Sequence, residues 1–211
     1  MNKPEHNGPT LIIPNAGKLH KARYKKALVV TGYMQPKQLE WLSMVAQQCK
    51  VIIEVGSWKG RSTTVVAGFA RKVFCIDTWE GSEQQANSTK IDLTHTEVQE
   101  KGSETIFEEF KTNLKEDIDS GSIIIIRETS LTAHKTLNEM GIMADMVFID
   151  GSHFSPVVDQ DIQNYRQFVR KGGIFCGHDS TWPDVRKALN KYVPGWKRGP
   201  GSIWWTRNKE S

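Results

Sequence analysis

Three polar residues follow two apolar, β-branched segments of the sequence and could bind one cation together. Asp150 ends the segment 146–150, and His178 and Asp179 follow the segment 173–176 after one glycine. Because the carboxyl ends of parallel strands meet at one edge of a sheet, these side chains could converge on a single ion. Two carboxylates favour Mg²⁺. The imidazole of His178 also admits Mn²⁺, or it only orients Asp179.

A second group of residues predicts a turn that binds a nucleoside. A buried strand carrying Glu54 runs into a turn with Gly56 and Gly60, and a helix begins near Ser62. Glycines let a ligand approach the backbone closely, and the start of a helix offers N–H groups to an anion. A pyrophosphate site would need glycine where Trp58 stands, and a P-loop would need Gly-Lys-Ser or Gly-Lys-Thr. An adenosine ligand with a small carboxylate remains.

Asp77 supports the same prediction. It ends the next apolar segment, about 20 residues after Gly56, which is the distance at which an acid of a Rossmann-like unit accepts hydrogen bonds from ribose hydroxyls. Both residues also have plainer interpretations, since Gly56 could serve only the tight turn and Asp77 could only cap the residues after it. The coincidence of strand, turn and acid favours the nucleoside site.

The elements that must position these residues alternate between strands and helices. Buried strands are predicted at residues 51–55, 73–77, 123–127, 146–150 and 173–176, and helices at 35–48, 62–71, 104–116, 131–140, 156–171 and 183–192. Ser155 and Pro156 predict the start of the helix 156–171, and Lys171 with the two following glycines predicts its end. Residues 195–207 predict a hairpin. This order predicts an α/β fold, a Rossmann-like, doubly wound, mostly parallel seven-stranded sheet with a C-terminal antiparallel hairpin.

One stretch, residues 79–102, interrupts the alternation. It has no sustained hydrophobic period and follows the predicted strand 73–77. Long connections at such places are either lids over a binding site or surface insertions. We expect either a lid over the cofactor or a mobile insertion here.

Length, charge and cysteine content limit the class of protein. The 211 residues fit one domain. Residues 1–26 hold six basic residues and one acidic residue, so with a total of +4 the rest carries −1. We predict a basic, partly disordered extension at 1–34 and a domain at 35–211. A nearly neutral body makes nucleic acid an unexpected partner. The short apolar runs and the polar start predict a cytoplasmic chain without membrane spans, and three scattered cysteines predict reduced core residues.

Taken together, these motifs resemble class I S-adenosylmethionine-dependent methyltransferases. The resemblance rests on Glu-x-Gly-x-x-x-Gly-x-Ser from Glu54, on the acid Asp77, and on Phe-Ile-Asp-Gly-Ser-His ending at His153. It rests also on Gly-Gly followed by Gly-His-Asp, which ends at Asp179. The sequence is most similar to the macrocin O-methyltransferase and cephalosporin-hydroxylase-like group, and more distantly to catechol O-methyltransferase. The resemblance covers about residues 35–207.

The resemblance implies a cofactor-binding set that extends from the methionine end of S-adenosylmethionine through the ribose to the adenine. Its members are Glu54 and Ser62, then Gly56, Ser57 and Gly60 of the turn, Asp77 with Thr78, Thr129 with Ser130, and Asp150. It also implies a metal site made of Asp150, His178 and Asp179, in which the histidine departs from the carboxylate or amide of some relatives.

The resemblance further implies an O-methyltransferase that acts on a hydroxyl of a small molecule, such as a sugar or glycoside. His153 stands where the catechol-type enzymes hold the general base, and an imidazole can accept a proton near neutral pH. Asp150 is the alternative base if no metal binds. Two other functions stay open: an NAD(P)-linked oxidoreductase on a similar sheet, and a non-catalytic cofactor-binding subunit of a partner. A homo-oligomer is also possible.

Overall fold

The computed structural model describes residues 17–81 and 93–209, which form a seven-stranded sheet between two layers of helices. The strands are β1 Val51–Val55, β2 Lys72–Ile76, β3 Ile123–Ile126, β4 Ala144–Ile149, β5 Val169–Gly177, β6 Lys197–Arg198 and β7 Trp204–Arg207. Their order is β3-β2-β1-β4-β5-β7-β6. Strands β1 to β5 are parallel, and β7 is antiparallel to both β5 and β6. The predicted fold class is confirmed.

Nine helices belong to the described residues. They are α1 Gly17–Val29, α2 Pro36–Ala46, α3 Arg61–Ala67, α4 Leu93–Lys101, α5 Ser103–Asn113, α6 Lys115–Asp119, α7 Ser130–Glu139, α8 Val157–Arg166 and α9 Pro183–Tyr192. Helices α1, α2, α3 and α5 pack on one face of the sheet, and α7, α8 and α9 pack on the other. None of these helices is long and apolar enough to cross a membrane.

Both faces of the central strands are buried, as their unbroken apolar sequences predict. Every residue of β4 is buried. In β1 the side chains alternate between the two helix layers, so that Ile53 packs with α7 and α8 while Ile52 packs with α2 and α3. Glu54 lies on the same face as Ile52 and is therefore buried as well.

The sequence did not indicate helix α1, which lies within residues 1–34. The guanidinium of Arg23 donates hydrogen bonds of 2.5 and 2.8 Å to the carboxylate of Asp117 in α6. A side chain at position 68 would meet Arg23 at 2.6 Å, and Gly68 leaves that space free. Residues 21–29 therefore pack on the domain, while residues 1–16 lie outside the described residues.

The predicted helix 156–171 is wrong at both ends. Helix α8 ends at Arg166, and Lys171 and both following glycines belong to β5. There Gly172 has a φ of +76°, and the pairing of β5 with β4 shifts register between Ala144 and Met146. The glycine pair thus belongs to an irregularity inside a strand. In the sequence, two such glycines look the same as the end of a helix. At the other end Pro156 itself is the N-cap residue, after a cis peptide bond.

The stretch 79–102 contains one helix that was not predicted, α4. Residues 82–92, a part of the predicted lid or insertion, lie outside the described residues. Helix α4 buries none of its residues fully, which explains why its sequence shows no apolar period.

Candidate active site

An open cavity of about 480 Å³ lies at the carboxyl ends of the parallel strands, where ligands of such sheets bind. Several predicted site residues line it: Gly56, Asp77, Thr78, Thr129, Ser130, Asp150 and His153. The other predicted residues do not line it. Of these, Glu54, Ser57, Gly60 and Ser62 lie in and beneath the first turn, and His178 and Asp179 lie behind Asp150 and His153.

Glu54 supports the first turn from below. Its Oε2 accepts hydrogen bonds from Ser57 Oγ at 2.8 Å and Thr63 Oγ1 at 2.5 Å. The side chain is fully buried, and this burial raises the pKa of Glu54 to about 7 despite the hydrogen bonds from neighbouring hydroxyls. Its second oxygen, Oε1, has no hydrogen-bond partner among the described residues.

The glycines of the turn are required by the protein itself. Gly56 has a φ of +86°, and a Cβ atom there would lie 2.2 Å from the carbonyl oxygen of Asp150. Gly60 has a φ of +85°, and its Cβ would lie 2.5 Å from Leu114 Cδ1. Both positions therefore need glycine for the backbone conformation and for close packing, whether or not a ligand approaches.

Asp77 both lines the cavity and caps the backbone. Its carboxylate accepts hydrogen bonds from the backbone N–H groups of Trp58 at 2.8 Å and Trp79 at 2.7 Å. Burial raises the pKa of Asp77, and these backbone hydrogen bonds oppose the shift. Asp77 thus caps the residues after it, and it is also one of the residues that line the cavity.

Trp79 is a structural residue of the site that the sequence analysis missed. Its ring is fully buried, and its Nε1 donates a 2.7 Å hydrogen bond to the carbonyl oxygen of Trp58. Phe107 and Phe110 of α5 pack against it with ring centroids at 4.6 and 4.9 Å. Trp79 thus joins the turn after β1 to the residues after β2. A tryptophan just after a predicted strand carries no sequence signal for this role.

Lys59 was missed as well, although it lies in the middle of the first turn. Its ammonium group is buried and lies 2.5 Å from Glu97 Oε1 of α4 and 2.7 Å from Glu109 Oε2 of α5. Because Thr94 of α4 lines the cavity, this ion pair ties a wall of the cavity to the turn below it. The sequence could not predict this ion pair, because Lys59 and its two partners are far apart along the chain.

Four acidic and basic side chains meet beside the cavity. Nε2 of His153 lies 2.9 Å from Oδ2 of Asp179. Nδ1 of His178 lies 3.0 Å from the same oxygen and 3.3 Å from Oδ1 of Asp150. Ligand-type atoms of Asp150, His153 and Asp179 all lie within 4.8 Å of one another. The convergence expected from the strand ends is present, since Asp150, His178 and Asp179 meet there, and His153 joins the two acids in a set whose atoms could hold an ion.

The charges of the cluster shift one another's pKa values. Burial disfavours the charged form of His178, but the carboxylates of Asp150 and Asp179 outweigh it and raise the pKa of His178 to about 10. Burial also opposes the ionisation of Asp179, yet hydrogen bonds from both histidines hold its pKa well below its usual range. Burial raises the pKa of Asp150, against the attraction of His178. The cluster therefore keeps negative charge next to imidazole groups.

Two residues of the cluster are held in a fixed geometry, Asp179 by its backbone conformation and His153 by a stacked ring. Asp179 has a φ of +58°, a region that few residues other than glycine, asparagine and aspartate occupy. His153 stacks on Trp182 with ring centroids 4.7 Å apart and an interplanar angle of 22°. Trp182 thus packs against one face of the His153 ring.

The strand order, with a glycine turn after β1 and an acid after β2, is that of the class I methyltransferase fold. The family model described as "Methyltransferase domain" matches residues 53–180, and the chain belongs to this family. The resemblance stated from the sequence is thereby confirmed, as is the prediction that the chain is a methyltransferase. The sequence has no significant match among curated proteins.

Solved structures share the fold at low sequence identity. Cofactor-bound Rv0187 from MTB is 18% identical over 96% of this chain and 94% of its own, with a TM-score of 0.58. The O-methyltransferase TomG from Streptomyces achromogenes, in complex with SAM, is 14% identical over 95% and 93%, with a TM-score of 0.60. Two structures of CalS11, a TDP-rhamnose 3′-O-methyltransferase of calicheamicin biosynthesis, are 15% identical over 89% and 76%, with TM-scores of 0.58 and 0.50.

Proposed function

We propose that the protein transfers the methyl group of S-adenosylmethionine to a hydroxyl of a small molecule, assisted by a divalent metal ion. The observation that carries this proposal is the cluster of Asp150, His153 and Asp179 at the edge of the cavity. A nucleoside cavity with two carboxylates and an imidazole beside it suits activation of a hydroxyl next to the cofactor.

The cofactor side of the cavity fits the proposed ligand. Asp77 and Thr78 line the part assigned to the ribose, and Thr129 and Ser130 line the part assigned to the adenine. Glu54 lies beneath the turn and does not line the cavity, so we propose that it serves the methionine part by holding the turn through Ser57 and Thr63. Ser57, Gly60 and Ser62 act on this end through the turn and the start of α3. TomG, which shares the fold, is a SAM complex.

The donor set also fits a divalent ion. We propose that Asp150 and Asp179 hold it, since carboxylate oxygens are ligands for Mg²⁺ and Mn²⁺. When bound, the ion lowers the pKa of the substrate hydroxyl and stabilises its alkoxide form. Both ring nitrogens of His178 lie at hydrogen-bond distance from protein atoms, Nδ1 from the carboxylates and Nε2 from Ser202 Oγ at 2.9 Å. We therefore propose His178 as an orienting residue rather than as a ligand.

His153 is the proposed base. In the methyl transfer the substrate oxygen attacks the methyl carbon, the bond from that carbon to sulfur breaks, and the hydroxyl proton moves to the imidazole of His153. Asp179 lies 2.9 Å from Nε2 of His153 and stabilises the imidazolium that forms. Stacking on Trp182 fixes the plane of the ring. Most of the rate gain would come from holding cofactor and substrate in line.

His153 could instead be the third metal ligand, and metal affinity separates the two roles. If His153 is a ligand, the variant His153→Ala binds Mn²⁺ more weakly by calorimetry. If it is the base, Mn²⁺ affinity is preserved and only turnover falls. Ala at Gln48, an exposed residue of the turn after α2, provides the matched control.

The acceptor class follows from charge and from the neighbours. The folded body lacks the positive charge that an RNA substrate would require. CalS11, which shares the fold, methylates a sugar nucleotide by its name. We therefore propose a sugar, glycoside or other small-molecule hydroxyl.

Two experiments test the proposal. Calorimetry compares binding of S-adenosylhomocysteine and of NADH to the purified protein. Binding of the former alone is expected, and binding of NADH alone would favour the oxidoreductase. Transfer of labelled methyl groups from S-adenosylmethionine into metabolite and glycoside pools, with and without EDTA, tests turnover and the need for metal. Cofactor binding without turnover in any pool would favour the non-catalytic subunit.

A further inference from the structure

A chain of hydrogen bonds connects helix α2 to the acidic cluster through the C-terminal hairpin. It runs from Gln38 of α2 to Ser202, which precedes β7, and from there to His178 after β5. Gln38 and His178 are both buried. The sequence could not predict these contacts, because Gln38 and Ser202 are 164 positions apart.

The first hydrogen bonds of this series fix the orientation of the Gln38 amide. The backbone N–H of Gln35 donates a 2.6 Å hydrogen bond to Oε1 of Gln38. Nε2 of Gln38 therefore points the other way and donates to Ser202 Oγ at 3.1 Å. A Cβ atom at position 201 would lie 2.5 Å from that nitrogen, so Gly201, with a φ of +60°, makes room for the contact.

The second part fixes the orientation of the His178 ring. Ser202 Oγ lies 2.9 Å from Nε2 of His178, which turns Nδ1 toward Asp179 at 3.0 Å and Asp150 at 3.3 Å. With Gln38 occupying one lone pair, the Ser202 hydroxyl can donate to a neutral ring or accept from a charged one. In both cases Nδ1 carries a proton that faces the carboxylates. Trp204 Nε1 also donates to the carbonyl oxygen of His178 at 3.1 Å and holds its backbone.

We propose that Ser202 and Gln38 are positioning residues that act through His178 to set the orientation of Asp150 and Asp179. The proposal rests on the proposed function, because it assigns a role in orienting the two carboxylates that would hold the metal. The C-terminal hairpin and helix α2 do not line the cavity, and in this proposal they affect the chemistry through His178. Groups behind ligating residues commonly change metal affinity or activity by roughly 10 to 100-fold when removed.

The test compares Ser202→Ala with Ser202→Thr, which keeps the hydroxyl, and with Gln48→Ala as a control outside the chain. The first readout is the ¹⁵N spectrum of the histidine rings in the metal-free protein, which needs no substrate. Ser202→Ala is expected to move the Nε2 resonance of His178, whereas Ser202→Thr and the control leave it in place. An unmoved Nε2 resonance in Ser202→Ala would overturn the proposal.

The second readout is turnover. Ser202→Ala is expected to lower kcat roughly 10-fold while KM for the cofactor changes little, and Ser202→Thr restores kcat. In the double variant with Gln38→Met, the loss should be no greater than in Ser202→Ala alone, because both residues act through one hydroxyl. The proposal would be overturned if the losses of kcat in the double variant were additive, or if the cofactor KM rose by the same factor as kcat fell. If the proposed function is wrong, the wild-type protein shows no turnover, but the shift of the His178 resonance in Ser202→Ala is still observed. The two failures can therefore be distinguished.

Discussion

The buried ion pair of Lys59 gives an asymmetric prediction for stability. The Lys59 side chain is only 2% exposed, whereas its partners Glu97 and Glu109 are 15% and 37% exposed. Removing the two carboxylates leaves an ammonium group inside the protein without a counter-charge. Removing the ammonium leaves two carboxylates that can turn toward water.

The expected magnitudes follow from this difference. An uncompensated buried charge costs about 3 to 5 kcal/mol, so the double variant with alanine at Glu97 and Glu109 should lose that amount. In a chain of this size the loss corresponds to a fall in melting temperature of roughly 6 to 20 °C. Lys59→Met replaces the charge by an apolar side chain of similar length, and we expect a loss within about 1 kcal/mol.

Urea unfolding followed by circular dichroism measures both variants, with Lys111→Met as a control because its ion pair with Glu108 is exposed. The control should change stability by less than about 0.5 kcal/mol. The reasoning is refuted if Lys59→Met loses as much as the double alanine variant, or more. Such a result would mean that the carboxylates are the trapped charges.

Three further predictions concern the site and the helices that support it. His153→Ala should lower kcat by about 10² to 10⁴-fold and change the affinity for S-adenosylhomocysteine less than about threefold, as steady-state kinetics and calorimetry would measure. Unchanged turnover would remove His153 from the mechanism. Gly56→Ala should lower the melting temperature and weaken cofactor binding, because its Cβ would collide with the carbonyl oxygen of Asp150. Wild-type affinity in that variant would show that the turn can relax. Burial raises the pKa of Asp161 to about 7, so the folded protein keeps a proton that the unfolded chain releases at lower pH, and this residue makes stability fall as pH rises from about 4 to 7. Asp161→Asn should flatten that fall in urea unfolding at pH 5 and pH 8, and an identical pH slope in the variant would contradict the assignment.

Much of the fold could be predicted because its signals are local. The apolar runs of β1 to β5 and the helices between them follow from hydrophobic periodicity, and the carboxyl edge as the place of the site follows from the parallel order. The turn at Gly56 and the acid Asp77 could be found for the same reason, since their positions are defined relative to single strands. The end of α8 could not, because Gly172 and Gly173 look like a helix stop until β5 is seen to run through them, with its pairing to β4 interrupted there.

The residue types at the strand ends were determined by the sequence alone: two acids and two histidines within reach of one sheet edge. The tertiary structure decided which of them meet. His153 reaches Asp179, His178 turns to Ser202, and Lys59 finds its partners on α4 and α5. The reason is that side-chain contacts between distant segments depend on how the loops and helices pack, and that packing depends on the whole chain, whereas periodicity depends only on neighbours in sequence.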